Sequence, residues 1–231
     1  LPDWPALKQQ IRDALLNEAD QEKRMDLLRH FKHTQTFRLL AQDIEGLMTL
    51  ETLSDHITEL ADTIIAVSLE TCWHEIQSKN TGAYKPPHFA VIGYGKLGGK
   101  ELGYVSDLDM IFLYYDELAD AGALYSTLAR KLISSLSTHT SAGMLYETDL
   151  RLRPDGVSGL LVSSFAAFED YQRHRAWVWE HQALTRARYV AGDKVLGEKF
   201  EALRENILKQ PRDAAELKKE ILAMREKMRA Q

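Results

Sequence analysis

The sequence predicts an α+β fold in which a small sheet is preceded and followed by helices. Residues 5–81 carry almost no strand signal, and their apolar side chains recur at helical spacing. Apolar stretches at 88–94 and 108–115, followed by alternation over 144–153, predict at least three strands. From residue 163 onward the helical spacing returns. The predicted plan is therefore helices, then a compact αβ unit, then helices.

This plan divides the chain into three predicted parts. A helical segment covers 1–81, an αβ core covers 82–162 and a second helical segment covers 163–231. The clearest boundary is the turn-rich stretch NTGAYKPP at 80–87. The chain begins with Leu1 instead of Met and ends while still in helical register, so we expect it to be a segment of a longer protein.

Composition excludes several classes of protein. The hydrophobic content of 45% and charged content of 27% are those of an ordinary globular protein. A net charge of −5 gives no basic footprint, so we expect no nucleic-acid partner. Signal peptides and apolar runs of transmembrane length are absent from the sequence, which predicts no membrane association and a cytoplasmic location. Cys72 is the single cysteine, and its apolar helical surroundings predict a buried structural thiol.

The first 81 residues predict three helices packed as one layer. Gly46 marks a helix end and Ser54 is a candidate cap. His30 and His33 are three residues apart among basic residues that include Arg29, and a solvated face explains them better than a metal site does. The predicted helices cover 6–17, 21–42 and 52–79.

The second half predicts further helices. Ser163 or Ser164 is a candidate cap for a helix ending at 174, and Trp177, Ala183 and Leu184 are packing candidates in the next helix. The predicted helices cover 121–140, 163–174, 175–189, 193–208 and 214–228.

A glycine-rich turn between the first two predicted strands is the strongest chemical signal. If the second strand begins at Ser106, Asp107 and Asp109 lie two residues apart on one face, beside a loop rich in free N–H groups. This arrangement suits a divalent cation and a polyphosphate, with Lys96 as a candidate phosphate contact. The turn, GYGKLGG, lacks the spacing of a P-loop, and a strand with two acids follows it where a dinucleotide-binding fold has a helix.

A third acid is predicted on the alternating strand. Asp149 would face the same side as Arg151 and Arg153, which either neutralise it as an ion pair or bind phosphate. Three converging carboxylates raise one another's pKa unless cations are present, and Mg²⁺ prefers such oxygen ligands. Two Mg²⁺ ions would suit an in-line displacement at phosphorus. Aspartates at strand starts also serve as caps, so the pair at 107 and 109 alone is weak evidence.

These motifs resemble the polymerase-beta-type nucleotidyltransferases, whose pattern is a glycine turn, two acids on a strand and a third acid on a later strand. Within that superfamily, three stretches are similar to glutamine synthetase adenylyltransferase: VIGYGKLGGKELGYVSDLDMIFLYY, LYETDLRLRPDGVSGLLV and WVWEHQALTRARYVAGD. GYGKLGGKELGY and WEHQALTRAR are closer to the adenylylating half of those bifunctional enzymes than to the deadenylylating half.

The resemblance implies a polymerase-beta-like core that transfers AMP from ATP to a tyrosine of glutamine synthetase, with two Mg²⁺ ions. A PII-type signal protein would be a further partner through the full-length enzyme. Asp107, Asp109 and Asp149 would be the catalytic and metal-binding acids. Nucleotide-binding candidates are Gly98, Gly99 and Ser106, with Gly95 and Lys96 as a competing register of the loop, and Arg151 and Arg153. Two alternatives stay open: the deadenylylating reaction, which yields ADP by phosphorolysis, and a non-catalytic module that binds PII or glutamine synthetase.

Overall fold

The computed structural model describes residues 2–78 and 85–211, together with 218, 219, 221–223, 225 and 226; the side chain of Trp179 is not described. Most of the predicted linker at 80–87 and much of the predicted helix at 214–228 lie outside these residues, although the described residues within 218–226 are helical. In the described part of the chain no helix is long and apolar enough to cross a membrane.

Three helices form the predicted N-terminal layer: α1 (Trp4–Asn17), α2 (Gln21–Ile44) and α3 (Leu50–Gln77). Gly46 follows α2 at a φ of +67°, as a helix end requires. The predicted cap at Ser54 is wrong, because Thr49 accepts a hydrogen bond from the Thr52 N–H and α3 therefore starts earlier. The buried side of α3 is the widest of the three, so this helix is the centre of the layer.

The sheet contains five strands among the described residues: β1 (Phe89–Gly93), β2 (Leu108–Tyr114), β3 (Thr148–Asp149), β4 (Val162–Ser164) and β5 (Arg188–Gly192). β1 lies between β2 and β5 and is antiparallel to both. β3 and β4 are parallel to β2, β3 pairing with its beginning and β4 with its end. The mixed sheet confirms the α+β class.

Alternate side chains of β1 and β2 enter two separate cores, because a strand directs successive side chains to opposite faces. Phe89, Val91 and Phe112 pack with the N-terminal helices and with α5 (Ala121–Ser137). Ile92 and Leu113 pack on the opposite face with the C-terminal helices. The sheet is therefore covered on both sides, which explains why both strands are continuous apolar runs.

The predicted third strand is much shorter than the alternation suggested. Only β3, two residues long, pairs with the sheet, and both Leu145 and Tyr146 are buried although alternation predicts opposite faces for them. The chain turns after β3 through a 3₁₀ turn (Gly156–Ser158) and returns as β4, which the sequence did not predict. Ser164 ends β4 and caps α6 (Phe165–His174), as predicted.

The predicted helix at 175–189 is wrong in its second half. The segment splits into α7 (Val178–Leu184) and the edge strand β5, and it is followed by α8 (Lys194–Leu208), which Asp193 caps. The bulge where Val91 and Ile92 face β5 marks the irregular pairing. Trp177, predicted to pack, is 67% exposed, whereas Leu184 is buried as predicted.

The basic residues of α2 are not uniformly solvated. His30 and His33 are exposed, as expected, but Arg29 is fully buried. Its guanidinium donates hydrogen bonds to the carbonyl oxygens of Met25, Gly143, Ser135 and Thr138. Arg29 thereby fastens α2 to the end of α5 and to the loop that leads into β3. The predicted helix at 121–140 accordingly ends at Ser137.

Candidate functional site

Three carboxylates meet where β2 begins. Oxygen atoms of Asp107, Asp109 and Asp149 all lie within 4.8 Å of one another. The parallel register places Asp149 directly beside Asp109, while Asp107 lies just before the strand, which starts at Leu108 and not at Ser106. This is the only group of at least three His, Cys, Asp or Glu side chains with metal-ligand spacing in the described part of the chain.

Gly95 brings the backbone of the glycine turn against this cluster. A Cβ atom at Gly95 would lie 2.1 Å from Oδ2 of Asp109, and its φ of +51° favours glycine. The turn is a short helix, α4 (Gly95–Gly98), which starts where β1 ends. The Tyr94 N–H donates to the Asp109 carbonyl at 2.9 Å and fixes the distance between this turn and β2.

The other two predicted glycines serve the packing of the turn. A Cβ atom at Gly98 would lie 1.8 Å from the Arg186 carbonyl oxygen and 2.6 Å from that of Gly93. At Gly99 it would lie 2.7 Å from the Glu101 carboxylate. The register with Gly95 and Lys96 therefore lies nearest to the acids, and Gly98 lets the turn approach the chain that follows α7.

The charges of the three acids are unevenly compensated. Burial raises the pKa of Asp109, and the neighbouring charges of Asp107 and Asp149 raise it further, while Arg151 and Lys96 oppose the shift. The pKa of Asp149 is lowered, chiefly by the hydrogen bonds from the Arg151 side chain. Asp109 is thus the acid with an excess of negative charge around it.

Arg151 and Arg153 are used differently from one another. The Arg151 Nε donates to both carboxylate oxygens of Asp149, at 2.8 and 3.0 Å, although its side chain is 75% exposed. Arg153 donates to the carbonyl oxygens of Leu150, Val157 and Gly159 and so holds the loop between β3 and β4 together. The two arginines do not share the ionic face that the alternation predicted, because the strand ends before them.

Lys96 and Ser106 flank the cluster. The Lys96 side chain is exposed, and within the described residues it has no ion-pair partner. The Ser106 hydroxyl accepts a hydrogen bond from the Gly103 N–H at 3.0 Å and closes the loop before Asp107. As a hydroxyl, it also carries a proton that it can donate.

A partly buried ion pair between Arg188 and Asp62 supports the glycine turn. Arg188 on β5 donates to Asp62 of α3 at 2.8 Å and to the Leu97 carbonyl of α4 at 3.1 Å. Burial raises the pKa of Asp62 and the Arg188 side chain opposes that shift. Arg186 pairs with Glu101 on the exposed side of the same turn. The sequence did not predict the strand that carries Arg188, so the contact between Arg188 and Asp62 could not be expected from it.

The donor set suits a divalent cation such as Mg²⁺. Three carboxylates converge, and one of them has a raised pKa caused partly by its neighbours. The cations that oppose this shift, Lys96 and Arg151, are both exposed side chains. Hard cations with oxygen ligands relieve this kind of repulsion. Asp107, Asp109 and Asp149 are the residues that would hold the metal.

Known proteins are similar to this chain in sequence. The family described as glutamate-ammonia ligase adenylyltransferase matches residues 1–203. The chain is 58% identical over 228 residues to the bifunctional glutamine synthetase adenylyltransferase/adenylyl-removing enzyme of Chromobacterium violaceum, covering 98% of the chain and 25% of that protein.

Two further proteins with the same name are similarly close. Identity is 58% over 233 residues in Nitrosomonas eutropha, covering 99% of the chain and 25% of the relative. In Neisseria meningitidis serogroup B the identity is 53% over 227 residues, which cover 98% of the chain and 25% of the relative. The chain spans about a quarter of the length of these relatives. The chain belongs to the glutamate-ammonia ligase adenylyltransferase family.

Proposed function

We propose that this chain is a nucleotidyltransferase core that transfers AMP from ATP to a tyrosine of glutamine synthetase. The observation that carries the proposal is the cluster of Asp107, Asp109 and Asp149 beside the glycine turn. The names of the relatives supply the nucleotide and the protein substrate. The forms GYGKLGGKELGY and WEHQALTRAR favour the adenylylating reaction over the removal of AMP.

The reaction is an in-line displacement at the α-phosphorus. The tyrosine oxygen forms a new bond to this phosphorus, the bond to the bridging oxygen of the β-phosphate breaks, and pyrophosphate leaves. Bound Mg²⁺ would neutralise charge on the triphosphate and on the attacking oxygen.

The residues of the chain orient the reactants and accept the proton. In this proposal Oδ2 of Asp149 accepts the phenolic proton, which requires that Arg151 release it. The high exposure of Arg151 allows its side chain to turn toward the departing phosphates instead. Gly95 provides close backbone approach to the phosphates, and Lys96 and Ser106 are placed to donate to them.

In this proposal Arg153 does not contact the nucleotide. Its guanidinium donates hydrogen bonds within the loop that follows β3 and stabilises that loop. The predicted boundaries at residues 82 and 162 do not imply that the αβ core is independent of its flanking segments. α2 and β5 both contribute contacts that place Asp149 and the glycine turn, so we propose that the core depends on the flanking segments. Control by a PII-type protein would act on the longer protein.

The test is transfer of label from α-labelled ATP to glutamine synthetase in the presence of Mg²⁺. We expect transfer by the wild-type chain, a loss of at least about a hundredfold for Asp109→Asn, and a similar loss for Gly95→Ala, whose Cβ would collide with Asp109. Glu117→Gln, on an exposed acid away from the cluster, is the matched control.

Other outcomes would favour the alternatives. Release of ADP from adenylylated glutamine synthetase and phosphate, without forward transfer, would assign the chain to the removing reaction. Calorimetry that detects glutamine synthetase binding but no Mg·ATP binding would favour a non-catalytic module.

A further inference from the structure

A second concave site adjoins the carboxylates. A pocket of about 260 Å³ lies between α6, α7 and the loop that follows β3. Tyr94 and Arg151 line it and connect it with the acids, but none of the three acids lines it. Its volume is below the roughly 300–1,000 Å³ typical of pockets that hold a whole ligand. It is therefore of a size to take one part of a nucleotide whose phosphates lie at the glycine turn.

A buried acceptor in the wall of this pocket lacks a donor. Gln172 on α6 is only 5% exposed, and its Oε1 has no hydrogen-bond partner in the described part of the chain. Its backbone carbonyl, in contrast, is paired with Nε2 of His181 at 2.8 Å, so α6 is fixed at this point. Buried polar groups are rarely left unpaired, and an N–H or O–H group of a ligand bound in this pocket would satisfy Oε1.

Two aromatic residues, Tyr171 and Trp177, also line the pocket and are held in place by hydrogen bonds. Glu180 accepts a hydrogen bond from the Trp177 N–H at 3.2 Å and another from the Tyr171 hydroxyl at 2.8 Å. One carboxylate therefore positions both aromatic residues. Trp177 nevertheless leaves 67% of its surface exposed, which is unusual for such a large apolar group and suits stacking against a planar ring.

We propose that this pocket binds the adenine base of ATP and that Gln172 selects it, an inference that rests on the proposed function. Adenine carries an exocyclic amino group that donates to Gln172 Oε1, and glutamine is a known partner of this edge of adenine. Hypoxanthine and guanine carry an acceptor oxygen at the same position and would leave two acceptors facing each other. Trp177 supplies the stacking surface.

The acceptor tyrosine is a poorer occupant of this pocket. Its hydroxyl must lie at the carboxylates to react, and a hydroxyl there is not available to Gln172. An aromatic ring bound in the pocket would thus leave the Gln172 oxygen unpaired, whereas adenine satisfies it.

The experiment compares the binding of Mg·ATP and Mg·ITP by calorimetry, since inosine differs from adenosine by an oxygen in place of the amino group. We expect the wild-type chain to bind Mg·ATP about 10- to 100-fold more tightly than Mg·ITP. Gln172→Met, which keeps the volume, should reduce this preference to within about threefold. Gln182→Met, the same change at an exposed position of α7, should keep the full preference.

Trp177→Ala provides a second measurement at an exposed position where folding is not at risk. This variant should bind both nucleotides about tenfold more weakly, and the ratio of the Mg·ATP and Mg·ITP dissociation constants should stay unchanged. Tyr115→Ala, at a half-exposed aromatic residue outside the pocket, should change neither the affinities nor their ratio.

The outcomes separate the two proposals. Equal binding of both nucleotides by the wild type, or an unchanged preference in Gln172→Met, overturns the base pocket while leaving the transferase intact. Wild-type chain that binds neither nucleotide overturns both.

Discussion

The surroundings of Arg29 and of Asp109 are two opposite ways of withdrawing a charge from water. Arg29 is fully buried, and backbone carbonyl oxygens from α2, α5 and the following loop accept its donors. Asp109 is half-buried, and its nearest charged neighbours include two more carboxylates. The first charge is satisfied by the protein alone, as a structural charge must be. The second is left short of cations, which is typical of a site that waits for a ligand.

The largest change in stability is expected from replacing Arg29, whose charge is fully paired within the protein. Arg29→Met would remove the guanidinium donor from the Thr138 carbonyl oxygen, and the Gly143 carbonyl oxygen would keep the Thr140 N–H but lose its second donor. We expect the free energy of unfolding to fall by about 3 kcal/mol. Urea denaturation followed by circular dichroism measures this loss. Arg38→Met, on the exposed face of the same helix, is the control and should change stability by less than about 0.5 kcal/mol. Equal losses in both variants would contradict the structural role of Arg29.

A smaller change in stability is expected when Mg²⁺ binds to the three carboxylates. Mg²⁺ at a hundredfold excess over its dissociation constant should stabilise the wild type by about 2.7 kcal/mol, because it binds only the folded chain. Thermal unfolding with and without Mg²⁺, at constant ionic strength, is the measurement. The shift should disappear in Asp109→Asn and persist in Arg38→Met. A Mg²⁺ shift that survives in Asp109→Asn would place the cation elsewhere.

The smallest change in stability is expected from the ionisation of Asp109 in the absence of metal. Because its pKa is raised, the folded chain keeps this proton at pH values where the unfolded chain has lost it. Stability therefore falls as the pH rises through that window, and the penalty is complete once the pH exceeds the raised pKa of Asp109 in the folded chain.

Asp109→Asn should consequently be the more stable protein at pH 7, by up to about 1 kcal/mol in so open a site. The difference should close as the pH falls below about 3.9, where the carboxyl is protonated in both states. Urea denaturation across this pH range in EDTA measures it. A variant less stable than the wild type at pH 7 would show that the carboxylate is not repelled by its neighbours.

Local signals in the sequence were sufficient for most helices. Gly46 ends α2 and Ser164 and Asp193 cap α6 and α8, because caps depend on residues within one turn of the helix end. The buried strands β1 and β2 were also predicted, since a sheet covered on both faces produces continuous apolar runs. Cys72 is buried as predicted, and burial raises its pKa to about 12.

The errors fall where distant contacts decide the structure. The alternation before Arg153 predicted a long strand, but β2 offers β3 only two residues of pairing, and the segment before it is fixed by Arg29. The stretch that contains Arg188 has a helical composition and yet pairs with β1 as β5. Sheet pairing overrode local preference in both cases.

The sequence by itself determined the chemical inventory of the site and the order of its elements. Acids at 107, 109 and 149, a glycine turn before them and the apolar strands are written in neighbouring residues. Only the tertiary structure decided which glycine lies against Asp109, which arginine pairs with Asp149, and that Gln172 and Trp177 share a pocket beside them. Those relations join segments far apart in the chain, and side-chain periodicity carries no information about such distances.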